Sequence, residues 1–356
     1  QKLTKKHKKW LKKLFAETNL VALACEGGHV EVLDMLLTIP GVDVNDDEDP
    51  DGFTPLRMAC ETESPACVRR LLQHPAIKVN QPHALFGDTC LMLAASSYAA
   101  KSFKIVELLL QHPDVNVNYC VPDDRKKFKD PDVGSNALED AAYFDNFEGI
   151  SLLLKAGATD SLAAAVCRGD LDTMEKFLQD PSLDINYRTN GTTVFHKACQ
   201  CGRLEAVKRL VRVPNLLINL TDEDGCSPFA LACAQSSADS TTEQTKGRAL
   251  VVRYLAGTKQ LNVDVELEDD DGMTPFISAC SSGCTENIIS LVEGAGVDRI
   301  DLNAVDAEES TGLLLAVQGG HVDTVMYLVT LPGIDINRAD HNDDTPLIEA
   351  GITGDA

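Results

Sequence analysis

The chain has 356 residues, of which 44% are hydrophobic, 5% aromatic and 24% charged, and its formal net charge is −23. This length exceeds what one hydrophobic core usually supports, so several domains or a repeat array is expected, with a core of small aliphatic side chains. The acidic balance argues against direct nucleic-acid binding through a basic surface, and no apolar run approaches the ~20 residues that span a bilayer.

The first predicted element is a basic amphipathic helix over residues 1–18. In "KLTKKHKKWLKKLFAE" (2–17), the apolar residues and His7 recur at helical spacing, with lysines around them. The segment lacks the apolar stretch of a secretory signal, so we expect a cytoplasmic or nuclear protein. We interpret the helix as a cap on the helices that follow. A membrane-surface helix, a partner-binding helix, and a nuclear-import signal in "KKHKK" (5–9) are alternatives.

A turn-like sequence then recurs along the chain, each time before an apolar pattern at helical spacing. This alternation predicts two short helices per unit. The copies are "DGFTPLRMAC" (51–60), "FGDTCLMLAA" (86–95), "TNGTTVFHKAC" (189–199), "DGCSPFALAC" (224–233), "DGMTPFISAC" (271–280), "ESTGLLLAV" (309–317) and "NDDTPLIEA" (342–350).

Local chemistry explains the recurring residues. The Thr54 hydroxyl can accept from a backbone amide in the first helical turn, and Pro55 suits the first helical position, where no N–H is needed. Gly52 permits the positive φ of a tight turn. The small pair Ala59 and Cys60 allows neighbouring helices to approach closely. The sequence therefore predicts a projecting turn, or finger, that leads into an inner helix.

This pattern resembles the ankyrin repeat, in which Thr-Pro-Leu-His-x-Ala opens the inner helix and Gly-His opens the outer one. His196 matches the inner-helix His, and "GGH" at 27–29 and 319–321 matches the Gly-His. The resemblance implies an all-α ankyrin-repeat solenoid of helix-turn-helix units with β-hairpin or finger loops, elongated and concave. About nine repeats fill 19–340, and 341–356 forms a truncated tenth. The finger asparagines of the motif correspond to Asn45, Asn80, Asn118, Asn186, Asn219, Asn303 and Asn337.

Three departures from the repeat are predicted. The finger over 119–135 is long and carries the basic sequence "DDRKKFKD" (123–130). A finger is missing near 157–161, where the sequence leaves no room for one. The polar stretch 236–247 reads as a flexible loop inserted between an inner and an outer helix.

The twelve cysteines suggest metal chemistry only weakly. Cys25, Cys60, Cys199, Cys233 and Cys280 share one position of the repeat, where Cys acts as a small hydrophobic residue. The best metal-like cluster, His196 with Cys199 and Cys201, lacks a fourth ligand nearby. No nucleotide-binding or hydrolase motif occurs. We therefore expect no metal, no cofactor and no catalytic residue in this chain.

Acidic residues concentrate in the predicted fingers. Because clustered carboxylates repel each other, they suggest a function, although solubility of a long repeat array is the alternative explanation. The predicted partner-binding acids are Asp47, Glu48, Asp49, Asp51, Asp222, Glu223, Asp224, Glu268, Asp269, Asp270, Asp271, Glu308, Glu309 and Asp343. The inner helices add Met58, Met92 and Ile277 as predicted contact residues.

The resemblance implies a protein-protein interaction scaffold, and we expect it to be monomeric. It would bind a protein or peptide segment along its acidic fingers and its inner-helix surface, and the acidic clusters favour a segment rich in Lys and Arg. The alternative is a regulatory or substrate-recruiting arm of a larger enzyme whose catalytic domain lies beyond the C-terminus.

Overall fold

The computed structural model describes residues 19–46, 52–97, 99–122, 135–144, 146–189, 191–234 and 242–353. The predicted capping helix over 1–18 lies outside these residues. So do the acidic segment 47–51, most of the long finger (123–134) and the first part of the inserted loop (235–241).

The chain divides into two compact units, Gln1–Ala164 and Ala165–Ala356. Unit 1 is built from helix pairs. Its helices are α1 (Leu20–Glu26), α2 (Val30–Leu37), α3 (Pro55–Glu61), α4 (Pro65–Leu72), α5 (Cys90–Ala95), α6 (Ala100–Leu110), α7 (Ala137–Tyr143) and α8 (Phe147–Lys155).

Helix α9 (Leu162–Arg168) contains the division between the units, and unit 2 continues the helix pairs. Its helices are α10 (Leu171–Leu178), α11 (Val194–Gln200), α12 (Leu204–Leu210), α13 (Pro228–Cys233), α14 (Thr242–Gly257), α15 (Pro275–Ser281), α16 (Thr285–Ala295), α17 (Gly312–Gln318), α18 (Val322–Leu328) and α19 (Pro346–Thr353). Single 3-10 turns follow α14 at Lys259–Leu261 and α16 at Val297–Arg299.

Helices stack in two rows within each unit. In unit 1 the inner row is α1, α3, α5 and α7, and the outer row is α2, α4, α6 and α8. In unit 2 the inner row is α11, α13, α15, α17 and α19, and the outer row is α10, α12, α14, α16 and α18. Small residues line the inner contacts: Ala59, Ala198, Cys199, Ala232, Cys233, Ala279 and Cys280 are all buried.

A Thr or Ser caps the inner helices α3, α5, α11, α13, α15, α17 and α19, as its chemistry predicts, whereas Asn19 and Asn136 cap α1 and α7. The hydroxyl of Thr54 accepts from the amide of Arg57 at 3.2 Å, and that of Ser227 accepts from the amide of Ala230 at 3.1 Å. The residue at the second helical position is buried in most inner helices. These core residues are Leu56, Leu91, Leu138, Phe195, Phe229, Phe276 and Leu313.

Side chains of the finger asparagines join consecutive repeats. In each case the side-chain amide oxygen accepts from a backbone N–H of the next repeat. The side-chain amide nitrogen donates to the backbone carbonyl that lies two residues before that N–H. Asn80, for example, accepts from Asn116 at 2.7 Å and donates to Asp114 at 2.6 Å. We call this arrangement the asparagine clamp. It is made by Asn45, Asn80, Asn118, Asn186, Asn219 and Asn303.

The fingers and the inserted loop have distinct local structures. The described part of the chain contains isolated bridges, such as Val305 with Thr311, but no β-strand, so its fingers are tight turns, which is one of the two loop forms that the resemblance implies. The loop expected over 236–247 ends earlier, because α14 begins at Thr242. Position 247 of this helix is a glycine because the backbone of Gly202 approaches it closely: a Cβ there would clash with the Gly202 oxygen.

The connection between α8 and α9 is short. Residues 156–161 join the two helices directly, with no finger between them. Asn118 clamps this connection, since its side chain accepts from the amide of Thr159 at 2.7 Å and donates to the carbonyl of Gly157 at 3.2 Å.

Candidate protein-binding surface

Four successive fingers of unit 2 share one turn geometry. In the first, the Asp222 carboxylate accepts from the backbone amides of Asp224 at 3.1 Å and Cys226 at 2.8 Å, and the amide of Asp222 donates to the carbonyl of Cys226 at 2.9 Å. A short polar side chain that accepts from nearby amides holds such a turn without a β-ladder. The same contacts recur at Asp269, Asp306 and Asp340.

These turns require a positive φ near the tip. Gly225 and Gly272 supply it in the first two fingers, with φ of 76° and 74°. In the last two fingers the same position is held by Glu309 (φ 61°) and Asp343 (φ 63°). For a residue with a Cβ, the left-handed conformation costs about 1–2 kcal/mol, so the last two fingers are strained.

Backbone hydrogen bonds connect the fingers to one another. The amide of Asp270 donates to the carbonyl of Asp224 at 3.1 Å, and the amide of Ala307 donates to that of Asp271 at 3.0 Å. His341 then joins the last finger, since its Nδ1 lies 2.8 Å from the carbonyl oxygen of Glu308. This contact raises the pKa of His341. The four fingers therefore form a connected row.

Eight carboxylates predicted to bind a partner are exposed on this row. We call them the acidic ladder: Glu223, Asp224, Glu268, Asp270, Asp271, Glu308, Glu309 and Asp343. Exposed like charges held by backbone hydrogen bonds produce a negative field that salt screens only partly at short range.

Other predicted acids have different surroundings. Asp222 and Asp269 are half-buried, because they hold the turns described above. Partial burial also raises the pKa of Asp222. Asp47, Glu48, Asp49 and Asp51 lie outside the described residues.

Two of the three predicted inner-helix contacts are corrected by the structure. The exposed fraction is 2% for Met92 and 0% for Ile277, so neither side chain can reach a partner. Met92 and Ile277 each directly follow a core residue, Leu91 or Phe276. Met58 lies two residues after the core residue Leu56, and its side chain is half-buried. The equivalent half-buried residues, which the sequence reasoning missed, are Leu93, Leu231 and Leu315. These residues could have been predicted, because each lies two positions after the core Leu or Phe of its inner helix.

The sulfur and histidine side chains have packing roles. Thr193 and His196 form a reciprocal cap at the start of α11, and burial lowers the pKa of His196 to about 4. The Cys201 sulfur lies 3.5 Å from that of Cys167. Burial raises the pKa of the Cys199 thiol far above its ordinary value. In the part of the chain that the structure describes, no group of three or more His, Cys, Asp or Glu residues could hold a metal ion.

The helices occur in inner and outer pairs, and asparagine clamps join consecutive pairs. This arrangement defines a helical-repeat protein. Models of ankyrin repeats match residues 2–83 and 20–120, as a set of three copies, and residues 178–232, as a set of many copies. The chain contains ankyrin repeats, and the predicted resemblance is confirmed. Repeats of this family generally mediate protein-protein interaction and are typically non-catalytic.

No curated protein matches the chain. Among the described residues, no helix is both long and apolar enough to cross a membrane.

Proposed function

We propose that the chain is a protein-binding scaffold whose acidic ladder binds a Lys- and Arg-rich segment of a partner protein. The observation that carries this proposal is the hydrogen-bonded row of fingers, which exposes eight carboxylates along unit 2. Such a field steers basic partners and selects against acidic ones.

The size of the row sets the length of the partner segment. Packed helices lie about 8–10 Å apart, so four fingers span roughly 30 Å. An extended peptide rises about 3.3 Å per residue, so a segment of about ten residues matches the row. The half-buried Leu231 and Leu315 on inner helices of the same unit offer additional apolar contact.

The test is a fluorescence anisotropy titration of a ten-residue peptide of alternating Arg and Ser, at low and physiological ionic strength. The ladder variant is E223Q/E268Q/D270N/E308Q, which leaves the turn-holding aspartates in place. A matched variant, D172N/E205Q/E286Q/D323N, removes four exposed acids from the first turns of the outer helices α10, α12, α16 and α18.

Exposed charge pairs contribute about 0–1 kcal/mol each, so we expect the ladder variant to bind roughly tenfold more weakly at low salt. The difference should shrink at physiological salt because of screening. The matched variant should stay within about twofold of the parent chain. Equal weakening in both variants would show that net charge, and not the ladder, attracts the peptide, and would overturn the proposal.

A further inference from the structure

One position of the asparagine clamp is occupied by a different residue. Glu266 in "VEL" (265–267) corresponds to Asn219 in "INL" (218–220), counted from the turn-holding Asp269 and Asp222. The amide of Asp301 hydrogen bonds to Glu266, as the amide of Asp264 does to Asn219. Glu266 therefore faces the next repeat in the manner of a clamp asparagine.

The clamp also needs a donor, and an ionised carboxylate has none. In each clamp the accepting carbonyl lies two residues before the donating amide, as with Asn262 and Asp264 opposite Asn219. Opposite Glu266 this rule identifies the carbonyl of Arg299. The Oε1 atom of Glu266 is buried and has no hydrogen-bond partner among the described residues. A buried polar atom without a partner costs about 1–3 kcal/mol.

Protonation would repair this mismatch. A neutral carboxylic acid carries one O–H donor beside an acceptor oxygen, which is the donor and acceptor set of an amide. The Glu266 side chain would then accept from the Asp301 amide and donate towards the Arg299 carbonyl.

The surroundings favour the neutral form. Burial raises the pKa of Glu266 to about 7, the amide of Asp301 opposes this rise, and the negative charges of Asp301, Asp264 and Glu268 add to it. Asp264 and Glu268 belong to the same loop, while Asp301 belongs to the loop of the next repeat. Each of these three groups is acidic, so each of them favours the neutral carboxyl group.

We propose that Glu266 is a proton-dependent clamp: its neutral carboxyl group joins two repeats of unit 2 as the asparagines do elsewhere, and its ionised form loosens that junction.

The sign of the effect follows from linkage. The pKa in the folded chain is raised to about 7 from an ordinary value of about 4.3 in the unfolded chain. The stabilisation is therefore fully present below about pH 4.3 and is lost as the pH rises through about 7. The junction between these repeats should open more readily at pH 8 than at pH 5.

The test compares E266Q with the parent chain by thermal unfolding at pH 5 and pH 8. Gln has the same length and always carries the donor. We expect E266Q to raise the unfolding midpoint by about 2–4 °C at pH 8, and by less than half of that at pH 5. The control E286Q removes a charge from an exposed Glu of helix α16 in the same unit and should shift the midpoint similarly at both pH values.

A local measurement keeps the test specific. Hydrogen exchange of a peptide covering 297–303 should be slower in E266Q than in the parent chain at pH 8 and equal at pH 5. E266A removes donor and acceptor together, so its exchange should be fast at both pH values. An E266Q effect of equal size at pH 5 and pH 8, by either measurement, would overturn the proposal.

Discussion

The finger over 81–89 in unit 1 and the four fingers of the acidic ladder in unit 2 are held in place by different side-chain interactions. In unit 1, the carboxylate of Asp88 pairs with Arg57 at 2.8 Å, and the exposed fractions of the two side chains are only 14% and 8%. The His83 ring lies 5.5 Å from Phe53 and 5.0 Å from Phe86, between centroids. In four fingers of unit 2, an Asp holds the turn by accepting from backbone amides, and the eight acids of the acidic ladder face solvent.

The difference shows that the repeat fixes the position of a finger but not its chemistry. The unit 1 finger places its charges in a buried pair, so its electrostatics should affect stability strongly and respond little to salt. The unit 2 fingers place their charges at the surface, so those charges are available to a partner and should affect stability little.

Breaking the buried pair should have the largest effect. In R57M, Asp88 keeps its charge in a mostly buried site, and losing one partner of a buried pair costs about 3–5 kcal/mol. We expect a lower midpoint of unit 1 unfolding in chemical denaturation, with fast hydrogen exchange in residues 81–97. The matched variant R70M disrupts the exposed Arg70–Asp34 pair, whose side chains are 30% and 52% exposed. It should change the stability by less than about 1 kcal/mol. Similar costs for both variants would contradict the comparison.

Removing a turn-holding aspartate in unit 2 should have an intermediate effect. D306A leaves the amides of Glu308 and Ser310 without the carboxylate that accepts from them at 3.0 Å and 2.8 Å. Hydrogen bonds to a charged group contribute about 1.5–3 kcal/mol, so we expect a loss of that order in the stability of unit 2. Because Glu308 is exposed, E308Q in the same turn should stay within about 0.5 kcal/mol of the parent chain. If D306A is equally mild, the aspartates do not hold the turns.

Relieving the backbone strain of the last fingers should have the smallest effect, with the opposite sign. Glu309 adopts a φ of 61°, where other fingers have Gly225 or Gly272. E309G removes a steric cost of about 1–2 kcal/mol, and the added freedom of the unfolded chain returns about 0.4–1 kcal/mol.

We therefore expect E309G to gain about 0.5–1 kcal/mol of unfolding free energy, read from the denaturant midpoint. The reverse change, G272E, should destabilise unit 2, since a Cβ there would lie 3.2 Å from the amide nitrogen of Ala307. A loss of stability in E309G would show that the Glu309 side chain supports the turn.

Much of the fold and part of the site followed from local patterns. Thr54 with Pro55 predicts the start of a helix because capping depends on a few adjacent residues. The acidic ladder could be predicted for the same reason: a turn with polar neighbours is exposed wherever the turn lies. The helical start at Thr242 was missed, because its polar composition resembles a loop, and the close approach of Gly247 to Gly202 becomes visible only in three dimensions.

The sequence alone thus determined the family, the inner-helix starts and the acidic character of the fingers, since all three depend on residues close together along the chain. Tertiary structure decided which side chains remain available. Met92 and Ile277 are buried while Met58 is half-buried, although all three lie on inner helices, so the packing of neighbouring helices decides the difference. It also distinguished Glu266 from the other finger acids, because its Oε1 atom is buried and has no hydrogen-bond partner among the described residues.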